Sequence, residues 1–479
     1  MRVVPIQTMT IEGFRGIRSA KIPLHPRVTV FFGPNAAGKS TVLDALAMGL
    51  GALAARVPGV AGRTLRPADL RVPYVDREAV GEKAGVAGPF ARVTVEAAGG
   101  LVWDVTHRRS AQDRRRTPPA AGTKALHTAL DPLVLDALDA KPGAQTEPIP
   151  FVAAYGNERA GVEVPARERG FRKVIQRFSG LDESLRATTR FKTVFEWFRL
   201  MEDEERRERE RRRDFGFRLP ELEWVRRAVE RAEIGCRSPR VETKPIRMLV
   251  DFVHDDGRPE QLDIAALSDG YRTHFALVVD VAWRMVQLNP SPDLDDPRRG
   301  TNSAAVVLID EIDLHLDPPW QARVVRGLLA AFPNTQFVLT THSEQVIGSV
   351  EAACVRKLRW DGGEIVVDGV PFAQGASGGC RGRDARLPRP RHRRVHACAH
   401  AAPRRLHAGH AAAPLHRGDR ASRARAPARG GGQDVGGGPL RVRGVVGARA
   451  PQRPAWLLRQ RWHPIDVRLR GGHFIVDFA

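Results

Sequence analysis

The chain has 479 residues, a formal net charge of +21 and four cysteines, and 42% of its residues are hydrophobic. This length allows several structural units and enough apolar sequence for a buried core. The cysteines lie far apart and form no C-x-x-C pair, which argues against a disulfide framework and a zinc site. Apolar runs are shorter than the roughly 18 residues of a membrane span, and the N-terminus lacks the build of a signal peptide. We therefore expect a soluble, cytoplasmic protein with no membrane partner.

The positive charge is concentrated at the C-terminal end. Residues 373–479 contain 22 Arg, no Lys, five Asp and no Glu, which gives +17, whereas residues 1–372 carry only +4. Up to Ala455 this tail consists almost entirely of amino acids whose codons can begin with G or C, the composition that a shifted reading frame gives in a GC-rich gene. We interpret the tail as a frameshift product; a disordered basic tail that binds polyanions and a folded domain are the alternatives.

The same tail has a sequence of low complexity. Arg, Gly, Ala and Pro account for 66 of its 107 residues. Such a composition offers too little apolar surface to bury, so we predict that the tail forms no packed core.

The first 50 residues change from a strand period to a helix period. Ile11 to Leu24 predicts two strands around a turn at residues 13–16, and the β-branched and aromatic run Val28 to Phe32 predicts a buried strand. From Ser40 to Leu50 the apolar residues recur at helical spacing. This is a strand, a Gly-rich turn and a helix in succession.

That Gly-rich turn fits the pattern G-x-x-x-x-G-K-[ST]. Its residues are Gly33, Pro34, Asn35, Ala36, Ala37, Gly38, Lys39 and Ser40, followed by Thr41. Glycines let backbone N–H groups surround phosphate oxygens, and the following helix presents its positive end. Lys39 would supply a charge for the outer phosphates, and Ser40 would place its hydroxyl on Mg²⁺. A simple Gly-rich turn is the alternative.

The middle of the chain predicts strands followed by helices. A strand pair is expected at residues 91–96 and 101–106, a solvated loop at 111–124 and a short buried strand at 150–155. Residues 171–235 have apolar positions at helical spacing and include the charged run Met201 to Asp214. We interpret that run as a solvated helix face, with a partner-docking or nucleic-acid face as the alternative.

The second half returns to an α/β pattern. A strand is expected near residues 246–254, and two buried strands, residues 304–309 and 336–341, flank a helix at about residues 319–331. Residues 354–360 and 364–368 predict a closing hairpin around Asp361-Gly362-Gly363.

Polar side chains follow both buried strands of this half. Asp310 ends the first strand, where it would orient Mg²⁺, and Glu311 is placed to polarise an attacking water. Capping of the next turn is the alternative role for this pair. His342, after the next strand, would emerge at the same sheet edge and contact a γ-phosphate or the water.

Leu267-Ser268-Asp269-Gly270-Tyr271 offers a second phosphate-binding end. Ser268 would cap a long amphipathic helix and leave its hydroxyl and the first N–H groups available. Because one site does not need two such ends, the motif suggests that a second subunit's phosphate loop faces it. An ordinary helix cap is the alternative.

Four motifs occur in an order that resembles a known superfamily. GPNAAGKST, LSDGY, LIDEIDLHLDPPWQ and LTTHS resemble the phosphate loop, signature, metal-binding strand with D-loop, and His switch of ABC-type ATPases. IEGFRGI and EIDLHLDPPWQ resemble the RecF/SMC-like branch. More narrowly, the chain resembles the bacterial AAA-family ATP-binding proteins that include Septu- and retron-associated anti-phage ATPases and OLD-type proteins. The resemblance covers residues 5 to 372 in patches.

The resemblance implies ATP and Mg²⁺ as cofactors and a head-to-tail homodimer. Ser268 and Gly270, with Asp269 between them, would approach the γ-phosphate of ATP on the opposite protomer. Asp317 would be the D-loop carboxylate across the interface, and Arg15 would approach the nucleotide. The motifs do not identify the position of a Q-loop glutamine, although residues 155–159 occupy a region suited to a lobe-connecting loop.

The expected fold is α/β, a P-loop NTPase of ABC/RecF-like type with a compact helical insert lobe and a disordered or frameshifted tail. We expect the ATPase domain at residues 1–160 and 246–372, the lobe at 161–245 and the tail at 373–479. The expected function is ATP hydrolysis that drives dimerisation in DNA transactions or anti-phage defence, with a partner nuclease or effector. An ABC-transporter energy subunit and a hydrolytically inactive ATP-binding module are the alternatives.

Overall fold

The secondary structure of the N-terminal unit, Met1–Ala385, alternates between strands and helices. The computed structural model describes residues 3–73, 86–141, 144–160, 177–186, 189, 191–254, 257–368, 467–470 and 473–476. The strands of this unit are β1 (Ile6–Phe14), β2 (Ile17–Pro23), β3 (Val28–Phe32), β4 (Phe90–Ala97), β5 (Leu101–Arg108), β6 (Phe151–Tyr155), β7 (Cys236–Thr243), β8 (Ile246–Val253), β9 (Pro259–Asp263), β10 (Ala305–Ile309), β11 (Thr335–Thr341), β12 (Val355–Asp361) and β13 (Glu364–Val367). The helices are α1 (Lys39–Ala54), α2 (Lys124–Asp139), α3 (Phe191–Arg212), α4 (Pro220–Arg231), α5 (Asp269–Leu288), α6 (Pro318–Ala331) and α7 (Glu344–Gly348).

A largely parallel sheet forms the centre of this unit. Its strand order is β13-β12-β3-β11-β10-β6, and only the edge pair β12 and β13 is antiparallel. Every residue of β6, β10 and β11 is buried, as expected for strands covered on both faces. The strand β11 lies between β3 and β10, so the carboxyl ends of all three meet at one edge. The α/β prediction is confirmed.

A second, antiparallel sheet covers the helix that follows β3. Its order is β2-β1-β4-β5, and α1 packs against β4 and β5 on one side and against β6, β10 and β11 on the other. Trp103 on β5 is fully buried and donates its indole N–H to the carbonyl of Gly49, 2.9 Å away. This contact fixes α1 between the two sheets.

The helical segment packs on α5 and adds a small sheet. The first two turns of α3 bury Phe191, Val194, Phe195 and Phe198, while its charged C-terminal half forms ion pairs such as Arg212 with Glu208, 2.8 Å. The helix α4 contacts α5, α6 and β7. The strands β7, β8 and β9 form an antiparallel sheet, so the lobe expected to be helical at residues 161–245 includes the strand β7.

The helix α2 differs from the sequence prediction, which has no element there. Pro132 lies inside this helix and weakens the local signal, yet Leu126, Leu130, Val134 and Ala137 form its buried stripe. The helix packs on β5. Tertiary contact therefore outweighs the low helix propensity of the proline.

The C-terminal unit, Arg386–Ala479, contains β14 (Val467–Arg470) and β15 (His473–Val476), which pair antiparallel. The rest of the predicted tail, including residues 373–466, lies outside the described residues. The frameshift interpretation of the tail remains a prediction.

Candidate nucleotide site

The loop between β3 and α1 has the backbone shape that its glycines predict. Gly38 is the N-cap of α1 with φ 89°, and a Cβ on it would lie 2.4 Å from Cδ1 of Ile365. Pro34, Asn35 and Ala36 form an exposed tip, and Ala37 is buried. Among the described residues no side chain caps the first turn of α1. Its N-terminal N–H groups therefore remain available to an anion bound in the loop.

Lys39 lies folded against this loop. Its ammonium donates to the carbonyls of Gly33 and Pro34, at 3.0 Å each. Burial lowers the pKa of Lys39, and the nearby carboxylates of Asp310, Glu311 and Asp313 oppose that shift. The lysine is therefore close to the acidic residues that follow β10.

Ser40 and Asp310 meet across the sheet edge. Ser40 donates its hydroxyl to Oδ2 of Asp310 at 2.6 Å, and Thr340 at the end of β11 donates to Oδ1 at 2.5 Å. A hydroxyl beside a buried carboxylate is a donor set that suits Mg²⁺, which prefers oxygen ligands and keeps several waters. Within the described ranges no three His, Cys, Asp or Glu side chains form a metal cluster.

Glu311 has an unusual backbone conformation. It is half-buried with φ 46°, in the left-handed region that non-glycine residues rarely adopt. Its N–H donates to Oγ1 of Thr340 at 2.7 Å, so the same threonine that contacts Asp310 also holds Glu311.

Arg159 also holds this turn, and sequence reasoning does not identify it. It is 2% exposed and donates to the carbonyls of Asp310 and Glu311 from the short turn after β6. Burial lowers the pKa of its guanidinium to about 10, still far above neutral pH. A single arginine in a loop carries no motif, so only the fold reveals the contact.

The segment after β11 lies at the same edge. His342 is exposed there. Thr341 donates to Asp313 at 2.5 Å, and Ser343 donates to Gln321 on α6 at 2.6 Å. These bonds tie the segment that carries His342 to the chain after β10, and its role as a nucleotide sensor remains a prediction.

The signature and the D-loop form one surface. Ser268 and Asp269 are exposed at the N-terminus of α5, and no side-chain hydrogen bond caps this helix. Gly270 packs so closely on the chain at His315 that a Cβ would lie 2.1 Å from the carbonyl oxygen. Ser268, Gly270 and Asp317 line a common cavity.

Arg15 lies against carboxylates at the side of α1. It donates to Asp44 at 2.6 Å and to Asp69 at 2.9 Å, and its side chain is 34% exposed. Arg63 shares Asp44 at 2.7 Å. These ion pairs hold the turn between β1 and β2 against α1, and direct contact of Arg15 with a nucleotide remains a prediction.

Comparison with known families gives two matches along this chain. A family model described as "AAA domain" matches residues 8–125, and one described as "AAA domain, putative AbiEii toxin, Type IV TA system" matches residues 145–348. Together they include the phosphate loop, the signature, the strand β10 and the segment after β11.

Curated relatives match shorter segments. "Retron Vc95 probable ATPase" of Vibrio cholerae serotype O1 biovar El Tor is 47% identical over 96 residues, 20% of this chain and 18% of the relative. "Retron Ec83 probable ATPase" of Escherichia coli is 37% identical over 25% of this chain and 20% of the relative. "Septu protein PtuA" of Bacillus mycoides (strain KBAB4) is 44% identical over 16% of this chain and 10% of the relative. The chain thus covers a fifth or less of the length of each.

Similar solved structures are SMC heads. One bound to the C-winged helix domain of ScpA has a TM-score of 0.42 and 16% identity over 76% of this chain and 97% of the other. The SMC head domain from Thermotoga maritima has a TM-score of 0.36 and 14% identity over 77% of this chain and 100% of the other.

The family and relative matches confirm the predicted resemblance to AAA-domain ATPases that include retron and Septu proteins. In the part of the chain that the structure describes, no helix is long and apolar enough to cross a membrane.

Proposed function

We propose that this chain, which matches AAA-domain models in both halves, binds ATP with Mg²⁺ and hydrolyses it between two head-to-tail protomers. The observation that carries the proposal is the hydrogen-bonded group Ser40, Asp310, Thr340 and Glu311. It joins the phosphate loop to the ends of β10 and β11, which are distant in sequence. Such convergence of a phosphate loop and two acidic side chains fits phosphoryl transfer.

The residues of the loop would hold the nucleotide. Lys39 and the N–H groups at the start of α1 would bind the phosphates, and Ser40 and Asp310 would hold Mg²⁺. When bound, Mg²⁺ would neutralise charge on the phosphates. Glu311 would accept a proton from the attacking water, and His342 would contact the γ-phosphate or that water.

The exposed signature supports a dimer. Ser268 and Asp269 present an uncapped helix end beside Asp317, and these groups lie on the outside of the protomer. An exposed helix N-terminus attracts an anionic group. In the proposed dimer that group is the γ-phosphate of ATP on the partner's phosphate loop, and hydrolysis releases the contact.

The biological setting follows from the relatives. Because retron and Septu proteins are among them, we propose a role in anti-phage defence, with a partner nuclease or effector that the ATPase controls. Participation in DNA transactions is the second setting, suggested by the SMC/RecF-like motifs alone. The near-neutral charge of residues 1–372 gives no separate support for DNA binding.

Glu311→Gln tests the proposal. The substitution keeps the size of the side chain but removes the proton acceptor, so ATP hydrolysis should fall by about 100- to 10,000-fold while ATP binding persists. We expect an ATP-dependent dimer to accumulate, measured by light scattering after size-exclusion chromatography.

Glu351→Gln, which changes an exposed carboxylate on another segment, is the matched control and should hydrolyse ATP like the wild type. Equal hydrolysis by the wild type and Glu311→Gln would refute the role of Glu311. If the wild type binds ATP but never hydrolyses it, the inactive module is correct. Purification from membranes in complex with a permease would favour the transporter subunit.

A further inference from the structure

The turn that follows β6 contains a buried cation, Arg159, whose hydrogen bonds to other described residues go to backbone oxygens. Arg159 donates to the carbonyl of Gly156 at 2.9 Å within its own turn, and across to the carbonyls of Asp310 and Glu311. A guanidinium has a planar fork of donors that can hold two acceptors at once. Arg159 thus joins the loop after β6 to the turn after β10.

The two carbonyls lie where the pairing of β6 with β10 ends. The ladder between these strands closes at Asp310, whose N–H donates to the carbonyl of Tyr155 at 2.8 Å. The carbonyl of Asp310 accepts from Arg159, and the carbonyl of Glu311 accepts from both Arg159 and the N–H of Leu314, which is 2.9 Å away. Arg159 thus contacts the backbone of the residue that carries the proposed catalytic carboxylate.

Glu311 is held at both ends of its backbone. Thr340 accepts from its N–H at 2.7 Å, and Arg159 donates to its carbonyl. Its left-handed conformation, φ 46°, is one that persists only where the surroundings enforce it. The N–H of Leu314 also donates to the carbonyl of Glu311, at 2.9 Å, so loss of Arg159 would remove one of its two donors and let the backbone relax and turn the carboxylate away.

The same turn also packs on the signature helix. Residues Asn157–Ala160 contact α5. Just before them, Tyr155 donates its hydroxyl to Asp280 on α5 at 2.8 Å, and Arg284 donates to Asp280 at 2.7 Å. The helix whose N-terminus carries Ser268 is therefore in contact with the turn that carries Arg159.

We propose that Arg159 is a positioning residue that orients Glu311 through its backbone and connects that orientation to α5. The inference rests on the proposed function, because it assumes that Glu311 activates water. Arg159 touches neither nucleotide nor metal in this role, so its loss should affect the rate of the chemical step and leave ATP affinity in place.

Steady-state ATPase kinetics and direct ATP titration of Arg159→Ala and Arg159→Lys form the test. A displacement of about 1 Å in a catalytic group costs up to about 100-fold in rate, so we expect kcat of Arg159→Ala to fall about 10- to 100-fold. The Kd for ATP should stay within about twofold, since the phosphate loop is unchanged. Arg159→Lys keeps the charge and one donor, so it should recover part of kcat.

Arg356→Ala is the matched control. Arg356 is 3% exposed and also donates to backbone carbonyls, those of Pro23, Ala353 and Val355, on the opposite side of β3 from β10. Its loss should lower thermal stability without lowering kcat at a temperature where the variant is folded. An equal fall of kcat in both alanine variants would mean that Arg159 is merely structural.

A double substitution separates this inference from the proposed function. In a Glu311→Gln background, Arg159→Ala should lower kcat by less than about twofold, because effects that act through one residue are not additive. A further 10-fold loss, or wild-type kcat in Arg159→Ala alone, would overturn the positioning role. If wild type and Glu311→Gln hydrolyse ATP equally, the proposed function itself fails. If Arg159→Ala does not fold, kcat of Arg159→Lys is compared with kcat of the wild type and of Arg356→Lys. A lower kcat in Arg159→Lys alone would support the positioning role, and equal kcat in all three proteins would overturn it.

Discussion

Asp310 illustrates how a buried polar residue at this site forms its hydrogen bonds. Its two carboxylate oxygens accept from Ser40 and Thr340, and its N–H and carbonyl contact Tyr155 and Arg159. Every polar group of the residue therefore has a partner in a buried position. A buried carboxylate without such partners would be costly, so the network both stabilises and orients it.

His274 allows a prediction at the residue scale. It is buried in the second turn of α5, and its Nε2 has no hydrogen-bond partner among the described residues. Burial together with Arg159 lowers its pKa to about 4. Because the folded pKa lies below the unfolded value of about 6.5, the native state binds fewer protons and loses stability as the pH falls between these values. At pH 5 the loss is about 2 kcal/mol relative to pH 8.

The measurement is urea unfolding of the wild type and His274→Leu at pH 8 and pH 5. The variant should lose less stability on acidification than the wild type, by about that amount. His107→Leu, at a half-buried position on β5, is the control for replacing a histidine by leucine. An identical pH dependence of His274→Leu and the wild type would show that His274 is not buried in its neutral form.

At the scale of elements, β10 and β11 are joined by side chains at their ends. The ladder aligns Ile309 with Leu339, so the next residue on each strand, Asp310 and Thr340, can meet. Register is strongly specified in a fully buried strand, and a slip by one residue would reverse the direction of each side chain. The position of Asp310, the proposed metal-binding carboxylate, therefore depends on the pairing of these strands.

Thr340→Val tests this pairing. The change removes the donor to Asp310 and the acceptor for the N–H of Glu311, and leaves two buried polar groups unsatisfied. We expect stability to fall by about 2 kcal/mol and ATP hydrolysis to fall with it, measured by urea unfolding and ATPase assay.

Thr335→Val is the control on the same strand. Thr335 is 1% exposed, and its Oγ1 is buried without a hydrogen-bond partner. Removing that hydroxyl should leave stability unchanged or raise it, because an unpaired buried hydroxyl is unfavourable. A similar loss in both variants would mean that the hydrogen bonds of Thr340 contribute nothing specific.

At the scale of the whole molecule, the two phosphate-binding ends serve different protomers in the proposed dimer. The phosphate loop lies between β3 and α1, whereas Ser268 and Asp317 are exposed and line a common cavity. In a head-to-tail pair each site takes one end from each protomer.

Mixing two inactive variants tests this arrangement. Lys39→Ala removes the phosphate-loop cation, and Ser268→Arg blocks the signature, so each homodimer should be inactive. A mixed dimer regains one intact site, and equal mixing should restore about a quarter of the wild-type ATPase rate if protomers pair at random. No recovery, with both variants folded and able to dimerise, would contradict composite sites.

The sequence by itself determined the local elements and the nature of the chemistry. Val28 to Phe32 and the loop up to Ser40 predict strand and phosphate loop because strand period, glycine positions and helix start are all local properties. Likewise Asp310 and Ser268 are recognisable from the elements that precede or follow them. The sequence did not predict the helix α2, because Pro132 lowers its local helix propensity. The packing of α2 on β5, which stabilises it, is a long-range contact.

Only the tertiary structure decided which residues act together. Sequence spacing does not show that Thr340 holds both Asp310 and Glu311, that Arg15 pairs with Asp44, or that Arg159 supports the turn after β10. These contacts join residues that lie 29 to 152 positions apart. The contacts of Thr340 and Arg159 exist because parallel strands bring their carboxyl ends to one edge, and that of Arg15 exists because the turn between β1 and β2 packs on α1. A motif records the residue types that the chemistry needs, and the sheet order sets their distances.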